Sequence, residues 1–208
     1  IELSTGATTA GAGNTCTISF TSGKASSGQG GSFTLSVGEG NNGAGGDVSV
    51  NAGKTTASNS AGGVVTLQSG ASTQGRSGKI SLNTLDGGVS GDIEMETGAT
   101  TGGTSGIITL STGNAVGGKG GSITLSVGEG NNGAGGDVSV NAGNTYDAGT
   151  TGGKITLQSG KSVSTSSGAV SISTSDGGTG ATGVSGNIEL STGATTAGAG
   201  NTGTISFT

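Results

Sequence analysis

A short apolar–polar–apolar pattern runs the length of this chain. It occurs at Ile1/Leu3, Ile18/Phe20, Phe33/Leu35, Val48/Val50, Val65/Leu67, Ile80/Leu82 and Ile93/Met95. It continues at Ile108/Leu110, Ile123/Leu125, Val138/Val140, Ile155/Leu157, Val170/Ile172, Ile188/Leu190 and Ile205/Phe207. These fourteen motifs follow one another at steps of 13 to 18 residues, most often 15, the kind of period that marks a repeat architecture. Alternation with period two, carried by β-branched residues among Ser and Thr, marks a half-buried strand. The glycine clusters between motifs provide turns and tolerate positive φ. Helix is excluded by the glycine content and by the period of two. A flexible Gly/Ser linker would have no reason to keep a fixed spacing. The pattern therefore predicts fourteen short strands in a repeat architecture.

The motifs sort into two alternating columns. The odd-numbered set ends mostly in Leu and has Glu2, Thr34, Thr66, Glu94, Thr124, Thr156 and Glu189 in its middle position. The even-numbered set has Ser there six times and Thr109 once. Two distinct columns predict two distinct faces. The expected fold is all-β, a flattened two-sheet parallel β-solenoid (β-helix), right-handed by the general crossover preference. Each coil would hold about 30 residues and two short strands. Residues 1–208 would form one continuous solenoid in which Ile123, Leu125, Val138 and Val140 are buried. In the rival arrangement, one motif per coil, Leu125 would stack beside Val140 within one sheet.

A longer period lies above the short one. Glu2, Glu94 and Glu189 return every sixth motif, a superrepeat of about 90–95 residues. Residues 30–53 and 120–143 differ only at Phe33/Ile123, and residues 1–21 and 188–208 only at Cys16/Gly203. In both superrepeats the gap before the fifth motif, Val48 to Val65 and Val138 to Ile155, is longer than the usual step. The chain starts and stops inside the same repeat, so it reads as a window on a longer array or a unit stacking end to end.

Composition narrows the chemistry. The 50 Gly and 64 Ser plus Thr exceed half of the 208 residues, and apolar residues are 28% where roughly 45–50% is usual. With three Phe, one Tyr and no Trp, no thick core can form. Charged residues are 9% with a net charge of −5, and the seven Lys and Arg are scattered. Nucleic-acid binding, which needs clustered cations, is disfavoured. No apolar run is long enough to span a membrane. Cys16 has no partner for an internal disulfide. It reads as a small residue at a tolerant site, with a crosslink between fibres as the less favoured reading.

No His is present, so a His-based triad, a His–zinc site and a His general base are absent. Glu94 and Glu96 are the one close carboxylate pair on a face, the kind of pair glycosidases use. Because Glu96 is Ser4 and Ser191 in the other copies, the pair reads as a solvated face and no catalytic residue is assigned. The segment Gly38 to Val48, with Glu39, Asn41 and Asp47, invites comparison with calcium-binding nonapeptide repeats, but its spacing fails. No metal ligand and no cofactor are assigned. Thr34, Thr66, Thr124 and Thr156 form the one candidate surface-binding face, since spaced hydroxyl columns can order water. Glutamates interrupt that column every third turn.

With GGDVSVNAG, GGKITLQSG and GGSITLSVG in view, the chain resembles the Gly/Ser/Thr-rich β-solenoid repeats of large secreted or cell-surface proteins. Filamentous haemagglutinin-like adhesins and repetitive algal extracellular proteins are examples. The resemblance is compositional and covers the whole chain. It implies a structural role outside the cell or on its surface: a stiff filament, shaft or adhesive stalk without catalysis. Expected partners are further copies, joined end to end or laterally into fibres, and also glycans or surfaces. The alternative is an ice- or surface-binding module using the Thr face.

Overall fold

The computed structural model describes residues 2–5, 16–194 and 202–207. Ile1 of the first motif lies outside them. Two compact units divide the chain, Ile1–Ile108 and Thr109–Thr208. Neither contains a strand or a helix among the described residues. The expectation of an all-β, two-sheet parallel β-solenoid with two strands per coil is therefore overturned, and with it the fourteen strands.

What the short period builds instead is a series of locally closed loops. In the first unit the Gly31 N–H donates to the Gly23 carbonyl at 3.1 Å and Gly46 to Gly38 at 3.1 Å. Gly63 donates to Gly53 at 2.8 Å and Gly78 to Gly70 at 2.9 Å. In the second unit Gly153 donates to Gly143 and Gly168 to Gly160, each at 2.9 Å. Each bond closes the neck of a small surface loop whose ends lie side by side. Near the middle of each loop the chain bends, as at residues 26–28, 41–43, 73–75 and 163–165. Gly28, Gly103 and Gly117 take φ of 111°, 118° and 80° in three of these bends, a region L side chains seldom enter.

The physical reason for the missing ladders is visible in these bonds. A strand needs its N–H and C=O groups answered by another strand along its length. Here six periods have a single glycine pair in place of interstrand partners, between residues close together in the chain. Gly in quantity also raises the entropy that a regular strand must overcome.

No residue is buried among those described. Ile123, Leu125, Val138 and Val140, expected inside, are 53%, 76%, 64% and 69% exposed. The half-buried positions are all small or hydroxyl-bearing: Thr5, then Ser69, Ala142 and Ser159 at necks, and Ala25, Thr55 and Ser162 within loops. What partial coverage there is falls on such small side chains at necks and within loops, and the aliphatic side chains remain in solvent.

Candidate functional site

The most repeated feature of the chain is the neck. From Phe33/Leu35 onward, the residue two positions before every motif is Gly, and the residue before the loop's first Gly is usually small. At several of them the reason is steric. A Cβ added to Gly31 would lie 3.0 Å from the Ser22 Cβ, and one on Gly63 3.2 Å from the Ala52 Cβ. The same addition at Gly106 would meet the Thr97 Cβ at 3.2 Å, at Gly121 the Thr112 Cβ at 3.1 Å, and at Gly153 the Ala142 Cβ at 3.2 Å. These approaches are tighter than the roughly 3.5–4.0 Å of relaxed carbon contacts. At three necks a neighbouring hydroxyl also closes the neck. Ser22 Oγ donates to the Gly31 carbonyl at 2.8 Å, and Thr97 and Thr112 Oγ1 donate to Gly106 and Gly121 at 3.4 Å.

Cys16 occupies the corresponding position before Ile18 and is exposed. Its duplicate is Gly203, whose added Cβ would sit 3.5 Å from the Thr192 Cβ, an ordinary contact. That spacing explains how a small side chain is tolerated there.

Each neck is also flanked in sequence by two apolar residues. The last apolar residue of one motif and the first of the next stand two positions outside the neck on either side, as Leu35 and Val48 do around Val37 and Gly46. At one neck this becomes a direct aromatic contact: the rings of Phe20 and Phe33 have centroids 6.0 Å apart at 34°. That is within the range of favourable tilted pairs. Sequence reading paired the motifs across a core and missed this pairing across necks. The available signal was the constant offset of the neck glycine from both apolar residues.

The superrepeat has a structural expression in the loops. The gaps before the fifth motif of each superrepeat are longer loops, closed by the necks Gly53/Gly63 and Gly143/Gly153, which lie farther apart in the chain than Gly70/Gly78 or Gly160/Gly168. Equivalent side chains fold them back: Thr55 Oγ1 accepts from the Ala57 N–H and Thr145 Oγ1 from the Asp147 N–H, both at 3.2 Å. Ser72 and Ser162, also equivalent, accept from the Gly75 and Thr165 N–H groups at 2.8 and 3.0 Å. Asn51 and Asn141 donate to Ser49 and Ser139 at 2.7 and 2.8 Å.

Thr34, Thr66, Thr124 and Thr156 are all exposed. Thr34 and Thr66 belong to the first unit and Thr124 and Thr156 to the second, so each unit carries two of the four. Glu94 and Glu96 are exposed, as are Glu39, Asn41 and Asp47. Among the described residues no group of three or more His, Cys, Asp or Glu is placed to hold a metal ion, and there is no pocket. No helix among them is long and apolar enough to cross a membrane. What the arrangement offers chemically is a hydroxyl- and glycine-closed neck flanked by an exposed apolar pair, many times over. No family model, curated protein or solved structure matches this chain.

Proposed function

We propose that this chain is a structural repeat protein, part of a filament, shaft or adhesive stalk, and that it performs no catalysis. One observation carries the reading: the same neck with the same flanking apolar pair recurs through both units. No described copy is differentiated into a site that the others lack. An enzyme concentrates its chemistry at one place, with convergent polar groups and excluded water. A structural array divides its work evenly among similar units. The location, extracellular or at the cell surface, rests on the compositional resemblance to adhesin-like and algal extracellular repeats.

Imaging of the native source tests this. A probe raised against the repeat 120–143 should decorate filaments, fibres or a surface layer. Finding the protein only as dispersed, soluble molecules would overturn the reading.

A further inference from the structure

Every described motif has its apolar residues in solvent. The leading residues Ile18, Val48, Val65, Ile80, Ile108 and Ile155 are 42–54% exposed, and the trailing ones Leu67, Leu125 and Leu157 are 75–76% exposed. The whole chain exposes 20369 Å² at a mass of 19.0 kDa. Surface scaling gives about 8,400 Å² for a folded monomer of that mass and about 27,500 Å² for its unfolded chain. The excess over a folded monomer, about 12,000 Å², is several times the roughly 1,600 Å² of a standard protein–protein interface. Burial of apolar surface is the chief stabilising term available to a protein, and this chain leaves most of it unused.

We infer that the apolar pairs flanking the necks dock against those of a second copy of this chain. The inference rests on the structural reading above and names its partner. Three features select a second copy over another kind of molecule. The pairs recur at nearly the same spacing in both units, so any copy presents a matching series to any other. Residues 30–53 and 120–143 are almost identical, so the face offered by one unit is the face offered by the next molecule. Charge is sparse, at 9% of residues, and the flanking positions are mainly Ser, Thr and Gly, so like surfaces meet with little repulsion. A self-complementary surface is also what closed or propagating homo-oligomers require. Docking here is many small contacts in series, each an aliphatic or aromatic side chain covering its counterpart.

Sedimentation of the full chain over about two decades of concentration tests this. The comparison is with the triple variant Leu67→Ser, Leu125→Ser, Leu157→Ser. These side chains are three-quarters exposed within one chain, so their loss leaves the necks intact. Unchanged amide exchange at Gly78 and Gly168, in the necks that Leu67 and Leu157 flank, verifies that. The expected result is a mass that rises from 19.0 kDa with concentration, with the variant needing at least about tenfold more protein to reach the same mass. A monomer at all concentrations, or a variant associating as well as the parent, overturns the inference. So does a monomer with the hydrodynamic radius of a compact globule, because the pairs would then cover one another within one chain. Filaments in the native source combined with a monomeric isolated chain would refute self-docking while leaving the structural role standing. Dispersed native protein would remove the structural role itself.

Discussion

Gly143 and Gly153 face each other across one neck and respond oppositely to the same added methyl group. A Cβ at residue 153 would lie 3.1 Å from the Gly143 nitrogen, 3.2 Å from the Ala142 Cβ and 3.4 Å from the Gly143 oxygen. A Cβ at residue 143 would meet nothing within 4 Å. Either change to Ala removes unfolded-state freedom and on that account stabilises by about 0.4–1 kcal/mol. Because that term is common to both, the difference between the variants is the steric one, about 1–3 kcal/mol for forcing a methyl into an occupied contact. The lower end applies here, since a surface neck can yield by a small shift. The Gly153 N–H donates across this neck at 2.9 Å, and such a bond contributes about 1 kcal/mol net. Its exchange with solvent should therefore be slowed about fivefold in the parent protein. Gly143→Ala should keep or increase the slowing, and Gly153→Ala should abolish it. The Gly53/Gly63 neck is an internal replicate, with a Cβ at 63 meeting the Gly53 nitrogen at 3.0 Å. Equal protection of residue 153 in both variants would refute the claim that close approach is what requires glycine there.

Other consequences are open to measurement. Gly40→Ala and Gly130→Ala, which would drive a methyl into the Ala44 and Ala134 carbonyl oxygens, should shift the backbone resonances of their loops. Gly43→Ala and Gly133→Ala, which meet nothing within 4 Å, should leave them nearly unchanged. Asn59 has φ of 60°. Asn59→Gly should be neutral in local hydrogen exchange, while Asn59→Val should loosen its loop by about 1–2 kcal/mol. For the Thr face, we expect no thermal hysteresis from the isolated chain and no effect of Thr124→Leu or Thr156→Leu. Strong hysteresis lost on those substitutions would favour ice binding instead.

The periodicity was fully legible in the residues, and so was the place of the longer loops. The extra residues between Val48 and Val65 sit inside the loop closed by Gly53 and Gly63, where the gap in the motif spacing located them. The strands were not legible. An alternation such as Ile123-Thr124-Leu125 describes one side of a backbone equally well whether or not a ladder forms beside it. The decision belongs to long-range partners, and two apolar side chains per motif are too few to compel such pairing. The pairing of Phe20 with Phe33 was also missed. Phe20 and Phe33 belong to different columns, and only closure of the glycine neck between them brings their rings together. The Thr column was legible as composition, but its division between two units depends on how the chain partitions in space.

The necks also have a mechanical meaning. A chain under tension passes force along its backbone, and each Gly–Gly bond takes the load in parallel with the loop it closes. Opening a neck such as Gly70/Gly78 frees the short loop behind it without breaking any covalent bond. At about 3.3–3.6 Å per extended residue, less the width of the closed neck, each opening lengthens the chain by roughly 20–25 Å. A series of such necks, each closed by only about 1 kcal/mol, would open and close reversibly at low load. A pulling curve should therefore show a smooth extra extension of that size per neck. Each closure involves residues so near in sequence that it re-forms quickly once the load is removed. A material woven from such a chain would lengthen at low load by opening its necks and recover its original length at rest.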